Sequence, residues 1–278
     1  MAATLTIGTS LKPQHYEDAY QVKARGLWFE VHPENYFVDG GPRLAWLQAI
    51  RERHPIALHG VGQSFASIAA PDASYLARLA RLVEFIEPAI VSEHLAWSSF
   101  DGNYYPDLFP FPRTNAALTR LAANISQTQD RLGRAICIEN PTHYVTIDGH
   151  EWSEVDFLVA LANRTGCKLL VDVNNVFISA NNLGYSADAW IDAIPSDLVM
   201  EIHLAGHTPD PVLGTRLLVD THDAPIAGDV WRLFDRLVKR TGPRPTLIER
   251  DGNIPSFSEL LAERMAALAV INRSGVAT

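Results

Sequence analysis

Eight short apolar runs, separated by longer stretches with helical spacing, restrict the fold of this chain more than any other feature. The runs are Leu5–Thr9, Leu27–Val31, Ile56–His59, Ala89–His94, Ala135–Glu139, Lys168–Val173, Val199–Leu204 and Thr246–Glu249. Between them, Pro42–Arg53 repeats Leu44, Leu47 and Ile50, and Ser74–Glu87 carries Leu76, Leu79, Leu82, Val83 and Ile86 along one helical stripe. Thr114–Arg131, Glu154–Arg164, Val230–Arg240 and Ser258–Ala269 have the same spacing. Ser153 with Asp156, and Ser256 with Glu259, are placed as capping boxes that satisfy unpaired N–H groups of a first helical turn. Strands joined by helical crossovers pair in parallel. Over 278 residues this predicts an α/β fold, a single (β/α)8 TIM barrel spanning 1–278. An open doubly wound sheet is the alternative, but no G-x-G-x-x-G or P-loop follows any of the runs.

Composition narrows the function class. Lys and Arg number 23 against 32 Asp and Glu, a formal charge of −9, which argues against nucleic acid as a partner because phosphate backbones are held by clustered cations. Hydrophobic content of 47% with 20% charged residues describes a folded chain. Two cysteines exclude a disulfide framework and fit a reducing compartment. No run approaches the roughly 18 apolar residues of a membrane helix, and MAATLTIGTS lacks the basic and apolar regions of a secretory signal. A cytoplasmic protein with no membrane partner is expected.

The runs stay apolar until their C-terminal ends, where His59, Glu93-His94, Glu139-Asn140, Asp172, His203 and Glu249 follow one another. Alternation along Ala135–Glu139 puts Cys137 and Glu139 on one face, and a carboxylate facing the helices would be hard to solvate. Glu139, Asp172, His203 and Glu249 are therefore expected inside the barrel, converging on one mouth. With Asp220 from the following loop, these carboxylates would repel in a desolvated space, at a cost of several kcal/mol per unpaired ion. Bound cations remove the conflict. The candidate ligands are His59, His94, Glu139, Asp172, Asn175, His203, Asp220, His222 and Glu249. That is too many for one ion, so two or three ions with a bridging carboxylate are expected, with iron, manganese or zinc all acceptable to N and O donors.

Other readings bound this set. One strand-end His or Asp is more often a hydrogen-bonded structural residue, and Asp220-x-His222 is also compatible with turn chemistry. His15, His32, His54, His143, His150 and His207 are expected to be solvated or to support the ligands. Glu93, out of phase with His94, is assigned a salt bridge or backbone contact. His32, Glu34 and Asn35 are candidates for the mouth lining. Glu201, Asn140 and Asn174 are candidates for holding the far ring nitrogens of ligand histidines. Cys137 and Cys167 read as small buried residues. The segment from Trp97 to Phe111 is long for a strand-to-helix loop and is a candidate cover for the site.

The motifs HGVGQSFAS at 59–67, SEHLAWS at 92–98, ENPTHYV at 139–145 and DVNNVFISANNLG at 172–184 occur in one chain with EIHLAGH at 201–207, DTHDAP at 220–225 and ERDGNIP at 249–255. Together they resemble the multinuclear non-haem iron-dependent oxidative enzymes, from LKPQHYED at 11–18 to the last helix. The resemblance implies a barrel of the xylose-isomerase-like type, related in architecture to zinc endonucleases of abasic sites, and the same nine ligands. It implies two or three iron ions and dioxygen as co-substrate, with Glu139, Asp172 and His222 catalytic. It further implies oxidation of cysteine in a ribosomally made precursor peptide, usually with a leader-recognition partner protein. Because the barrel accounts for essentially the whole chain, that partner is expected to be separate. Asn175 stands where the endonucleases have His, and a neutral amide suits a loosely held third metal. Gln63, Phe65 and Lys12 are small departures that leave the ligand set intact. A zinc or manganese phosphodiesterase, a sugar isomerase of the same superfamily and a non-catalytic scaffold are the competing readings. The acidic charge disfavours the first, and no strand-end lysine supports the second.

Overall fold

In the computed structural model, which describes residues 5–274, the apolar runs form eight parallel strands. They are β1 (Ile7–Ser10), β2 (Phe29–Val31), β3 (Ile56–Gly60), β4 (Ile90–His94), β5 (Cys137–Glu139), β6 (Lys168–Asp172), β7 (Val199–Leu204) and β8 (Thr246–Ile248). The sheet closes in chain order, with β1 bonded to both β2 and β8. Residues 1–4 of the segment read for a secretory signal lie outside the described residues. Among those described, no helix is long and apolar enough to cross a membrane.

Side-chain alternation sorts the strands into two faces. Inside the barrel, Trp28, Ala57, Ile90, Cys137, Leu170 and Leu247 form a closed apolar layer. Two residues further along β2, β3, β5, β6 and β8, the same inward face carries Glu30, His59, Glu139, Asp172 and Glu249. The opposite face, with residues such as Phe29, Leu58, Ile138 and Ile202, packs on the helices in the main core. Gly8 makes room for the Trp28 indole: a Cβ there would lie 2.5 Å from two ring atoms. The apolar layer thus blocks the barrel floor and leaves the polar layer facing the C-terminal mouth.

The six helices read from spacing are present with small shifts at their ends, for example Ala73–Ile86 and Asn115–Leu132. Ser256 and Glu259 form the full reciprocal capping box, while the Ser153 hydroxyl accepts from the Asp156 N–H. Three helices had no clear periodic signal: Tyr16–Gln21, Val173–Leu183 and Ala187–Ala193. Val173–Leu183 contains four asparagines, poor helix formers, and tertiary structure sets it: Asp172 caps it through the Asn175 N–H at 2.6 Å, and Val173, Val176 and Ile178 are buried.

Two hairpins were also not foreseen. Trp97–Phe100 pairs with Asn103–Phe109, and Thr208–Asp210 pairs with Gly214–Val219. The first is anchored to the loop after β3, where the Ser64 hydroxyl accepts from the Ser98 and Ser99 N–H groups at 2.8 and 3.0 Å. It leaves Phe100, Tyr104 and Tyr105 exposed. Gly8→Ala should cost about 1–3 kcal/mol through overpacking against Trp28. Urea unfolding followed by tryptophan fluorescence measures this, and an unchanged midpoint would contradict the packing account.

Candidate metal centre

The nine predicted ligands come from five strand ends and three following segments, and the barrel gathers them at its mouth. His59 ends the inward face of β3 and His94 that of β4; their Nε2 atoms lie 3.1 and 3.0 Å from the same oxygen, Glu139 Oε2. The far nitrogens are held: His59 Nδ1 contacts Ser92 Oγ at 2.8 Å and His94 Nδ1 contacts the Gly60 carbonyl at 2.9 Å. Asp172 uses Oδ1 to cap its helix, leaving Oδ2 free. Asn140 clamps the backbone of Asp172 from both sides, accepting from its N–H at 2.9 Å and donating to its carbonyl at 3.1 Å. Asn175 donates to Glu139 Oε1 at 3.2 Å, and its carbonyl accepts from the Thr142 hydroxyl at 2.5 Å.

Asp220 and His222 arrive by a longer route. The second hairpin ends at Val219 and delivers Asp220, whose Oδ1 is 2.8 Å from His222 Nε2. Asn174 donates to the same carboxylate oxygen at 2.9 Å and is itself held by His207 at 2.7 Å. His222 adopts a left-handed backbone, φ 48°, which is costly for a side chain with a Cβ. It is fixed there by bonds from its N–H to Gly206 O and from the Asp251 N–H to its carbonyl. Gly206 permits this approach, since a Cβ would lie 2.0 Å from the Ala224 carbonyl oxygen. Such a conformation persists only where the surrounding contacts over-determine it.

Some of these groups are hydrogen-bonded to one another, as Asn175 is to Glu139 and His203 to Glu249, but several donor atoms are not. Glu139 Oε2, Asp172 Oδ2 and His222 Nε2 are buried with no hydrogen-bond partner among the described residues, although Glu139 Oε2 and His222 Nε2 each have a polar atom near 3 Å. Buried acceptor and imidazole atoms left in this state are available to a cation. One ligand atom each from His59, His94 and Glu139 lies within 4.8 Å of the others, and the same holds for Glu139, Asp172 and His203 and for His59, His203 and Glu249. The donor set therefore fits cations, with Glu139 common to two groupings.

Electrostatics agree with this. Burial pushes the Glu139 and Asp172 carboxyls above their ordinary range, Asp172 far above it. Burial alone would raise Glu249 too, but the charges and hydrogen bonds of His222 and His203 hold it well below. Burial drives His59 down to about 3 and lowers His94, which favours the neutral form that can donate a lone pair. For His203 and His222 burial is outweighed, by Glu30 and Glu249 in the first case and Asp220 and Glu249 in the second, and both sit well above the ordinary imidazole range.

Three acidic residues near the centre were missed or underrated. Glu30, inward on β2, is pushed up to about 8 by burial. Asp251 lies 3.6 Å from His222 Nδ1 and pairs with Lys12 and, at 3.8 Å, with His32. Parity with Trp28 would have found Glu30, and the two-residue step from Glu249 would have found Asp251. Glu201, expected as a support, is fully buried beneath His203. Of the mouth candidates, His32 and Asn35 line a pocket, whereas Glu34 turns away to accept from the Val61 and Gly62 N–H groups at 2.8 and 2.9 Å. Glu93 makes the backbone contacts expected of it, to the His94 and Gln63 N–H groups. His15 and His54 are neither solvated nor placed among the ligands: they are buried against the Pro255 and Val22 carbonyls, with their rings packed on Phe257 and Phe29. Cys137 and Cys167 are free and buried.

A closed parallel barrel with candidate metal-binding clusters at its C-terminal mouth defines the structural class. The chain belongs to the RiPP precursor modification enzyme family MbnB/TglH/ChrH, whose model matches residues 6–272. It is 58% identical over 268 residues to a UPF0276 protein of Caulobacter vibrioides strain NA1000 / CB15N, covering 96% of this chain and 95% of that protein. A second UPF0276 protein, RB0508 of Rhizobium meliloti, is 46% identical over 272 residues, covering 96% and 87%. Among solved structures, D-psicose 3-epimerase of Clostridium cellulolyticum superposes with a TM-score of 0.62 at 11% identity, covering 97% and 99% of the two chains. Endonuclease IV of Thermus thermophilus gives 0.55 at 17%, covering 97% and 98%. At such identities the structural likenesses establish the xylose-isomerase-like TIM barrel and nothing of the chemistry.

The acidic surroundings hold His203 and His222 toward their protonated forms, so a cation binding there should displace protons. Apparent affinity for Co(II) should therefore rise with pH between about 6 and 8, by about tenfold per unit for each proton released. Calorimetry in buffers of different ionisation enthalpy counts those protons, and a pH-independent affinity would contradict the assignment. Saturation at about 100 times the dissociation constant should add about 2.7 kcal/mol of stability for one site, visible as a raised unfolding temperature.

Proposed function

We propose that this protein is an iron- and dioxygen-dependent oxidoreductase that modifies cysteine in a ribosomally synthesised precursor peptide. Membership of the precursor-modifying family supports the peptide as substrate, and the convergence of unpartnered His, Asp and Glu atoms at the mouth supports a multinuclear centre. His59, His94 and Glu139 would hold one ion. Glu139, Asp172, His203 and Glu249 would hold a second. Asn175, Asp220 and His222 would hold the third and weakest. When bound, iron supplies the redox chemistry, oxidising the cysteine while dioxygen is reduced.

The chain's own residues supply reach and dryness. A pocket of about 150 Å3, lined by Lys12, Glu30, His32, Tyr36, Arg43 and Glu249, leads from the rim toward the ligands. Its volume suits one amino-acid side chain. The apolar layer of Trp28, Ile90, Leu170 and Leu247 lies across the floor and offers water no polar side chain on that side. Glu139 and Asp172 are almost completely buried and His222 is partly exposed at the rim; these three are assigned to catalysis on the family resemblance. A leader-recognition partner is part of the same proposal, drawn from the family resemblance.

The proposal rests above all on one observation: two imidazoles meeting one carboxylate oxygen that has no hydrogen-bond partner. Protein reconstituted with iron should consume dioxygen with a Cys-containing precursor peptide and not with its Cys→Ser form. Glu139→Gln and His59→Ala should lose activity by roughly 100-fold or more, beyond the 10–100-fold typical of outer supporting residues. Zinc as the sole metal of the purified protein, with phosphodiester hydrolysis and no oxygen uptake, would favour the hydrolase reading instead.

A further inference from the structure

Beside the donor set, and sharing His203 with it, lies a smaller buried group: Glu30 on β2 with Glu201 and His203 on β7. His203 Nε2 points into it, 3.4 Å from Glu30 Oε1 and 3.8 Å from Glu201 Oε1. The opposite nitrogen, Nδ1, lies 3.0 Å from Glu249 Oε2. His203 Nε2, Glu30 Oε2 and both carboxylate oxygens of Glu201 have no hydrogen-bond partner among the described residues, and all three side chains are at most 4% exposed. Buried polar atoms left unsatisfied cost about 1–3 kcal/mol each. Here they have only one another, or one shared water, to turn to.

This orientation is the reverse of that of His59 and His94. Those rings present Nε2 to Glu139 and have Nδ1 held by Ser92 and Gly60. Each is held by a neutral acceptor, whereas His203 faces carboxylates on its Nε2 side.

We infer that Glu30 and Glu201 are positioning residues that take the Nε2–H of His203, directly or through one water, and so make Nδ1 its metal-binding atom. An imidazole offers a lone pair at only one nitrogen when the other carries its proton, so these carboxylates select the ligand atom. Leu170 and Cys137 in the layer beneath provide no competing strong acceptor. The inference rests on the mouth being a metal centre.

The test uses the full-length protein and Co(II) alone as the probe, read by visible d–d bands and binding stoichiometry. Glu30→Leu/Glu201→Leu should lower affinity at one site by 10–100-fold and shift its bands, while Glu30→Gln/Glu201→Gln, which keeps acceptor oxygens, should restore most of the loss. Circular dichroism with an unfolding curve establishes whether the leucine variant folds, and the 15N-histidine spectra of the wild type carry the test if it does not. Should the folded leucine variant bind Co(II) like the wild type, the inference fails while the metal centre stands. Should the wild type bind no Co(II), both fail. An independent reading comes from 15N-histidine spectra of the Zn(II)-loaded wild type: His203 protonated at Nε2 and metal-bound at Nδ1 supports the inference, and ligation through Nε2 overturns it.

Discussion

The mouth of this barrel holds more buried acid than its own cations can neutralise, and much of the surrounding structure follows from that imbalance. Glu30, Glu139, Asp172, Glu201 and Glu249 are all buried on the inner face, and Asp220 stands partly buried at the rim. The protein cations nearest to them, Lys12, His32, His203 and His222, are fewer than the acids, and Lys12 and His32 are engaged by Asp251. A dry interior makes such a group unfavourable unless cations join it. The strained His222 and the Asn140–Asp172 clamp both hold donors in place before any cation arrives.

Preorganisation is spread over different parts of the fold. Strand register sets His59, His94 and Glu139, because neighbouring strands bring same-face residues to similar depth; His94 is paired with Glu139 in the β4–β5 ladder. Helix capping sets Asp172 and Asn175. A hairpin and a close-approach glycine set Asp220 and His222. The donors thus divide between strand ends, one helix and one loop, each held by a different kind of contact.

Legibility in the sequence varied with the same distinction. All eight barrel strands were readable because a doubly buried strand must be apolar along its length. His59, Glu139, Asp172, His203 and Glu249 were readable because a polar residue ending such a strand has only the mouth to face. Glu30 fits the same rule and was overlooked, its run LWFEV being short and followed by the more conspicuous His32. The Asn-rich helix Val173–Leu183 and the hairpin ending at Val219 carried no periodic signal, since their stability comes from a cap and from contacts with distant segments. Asn182, for example, bonds the Leu218 backbone from across the gap between them.

The sequence by itself determined the barrel, the inward face of each strand and the chemical types available at the mouth, because periodicity and polarity are local properties. Only the tertiary structure decided which nitrogen of each histidine turns to the centre, which carboxylate oxygens lack partners, and how Asp220, His222 and Asp251 return to the rim. Those are matters of distance between segments far apart in the chain, which closure of the sheet brings within hydrogen-bonding range.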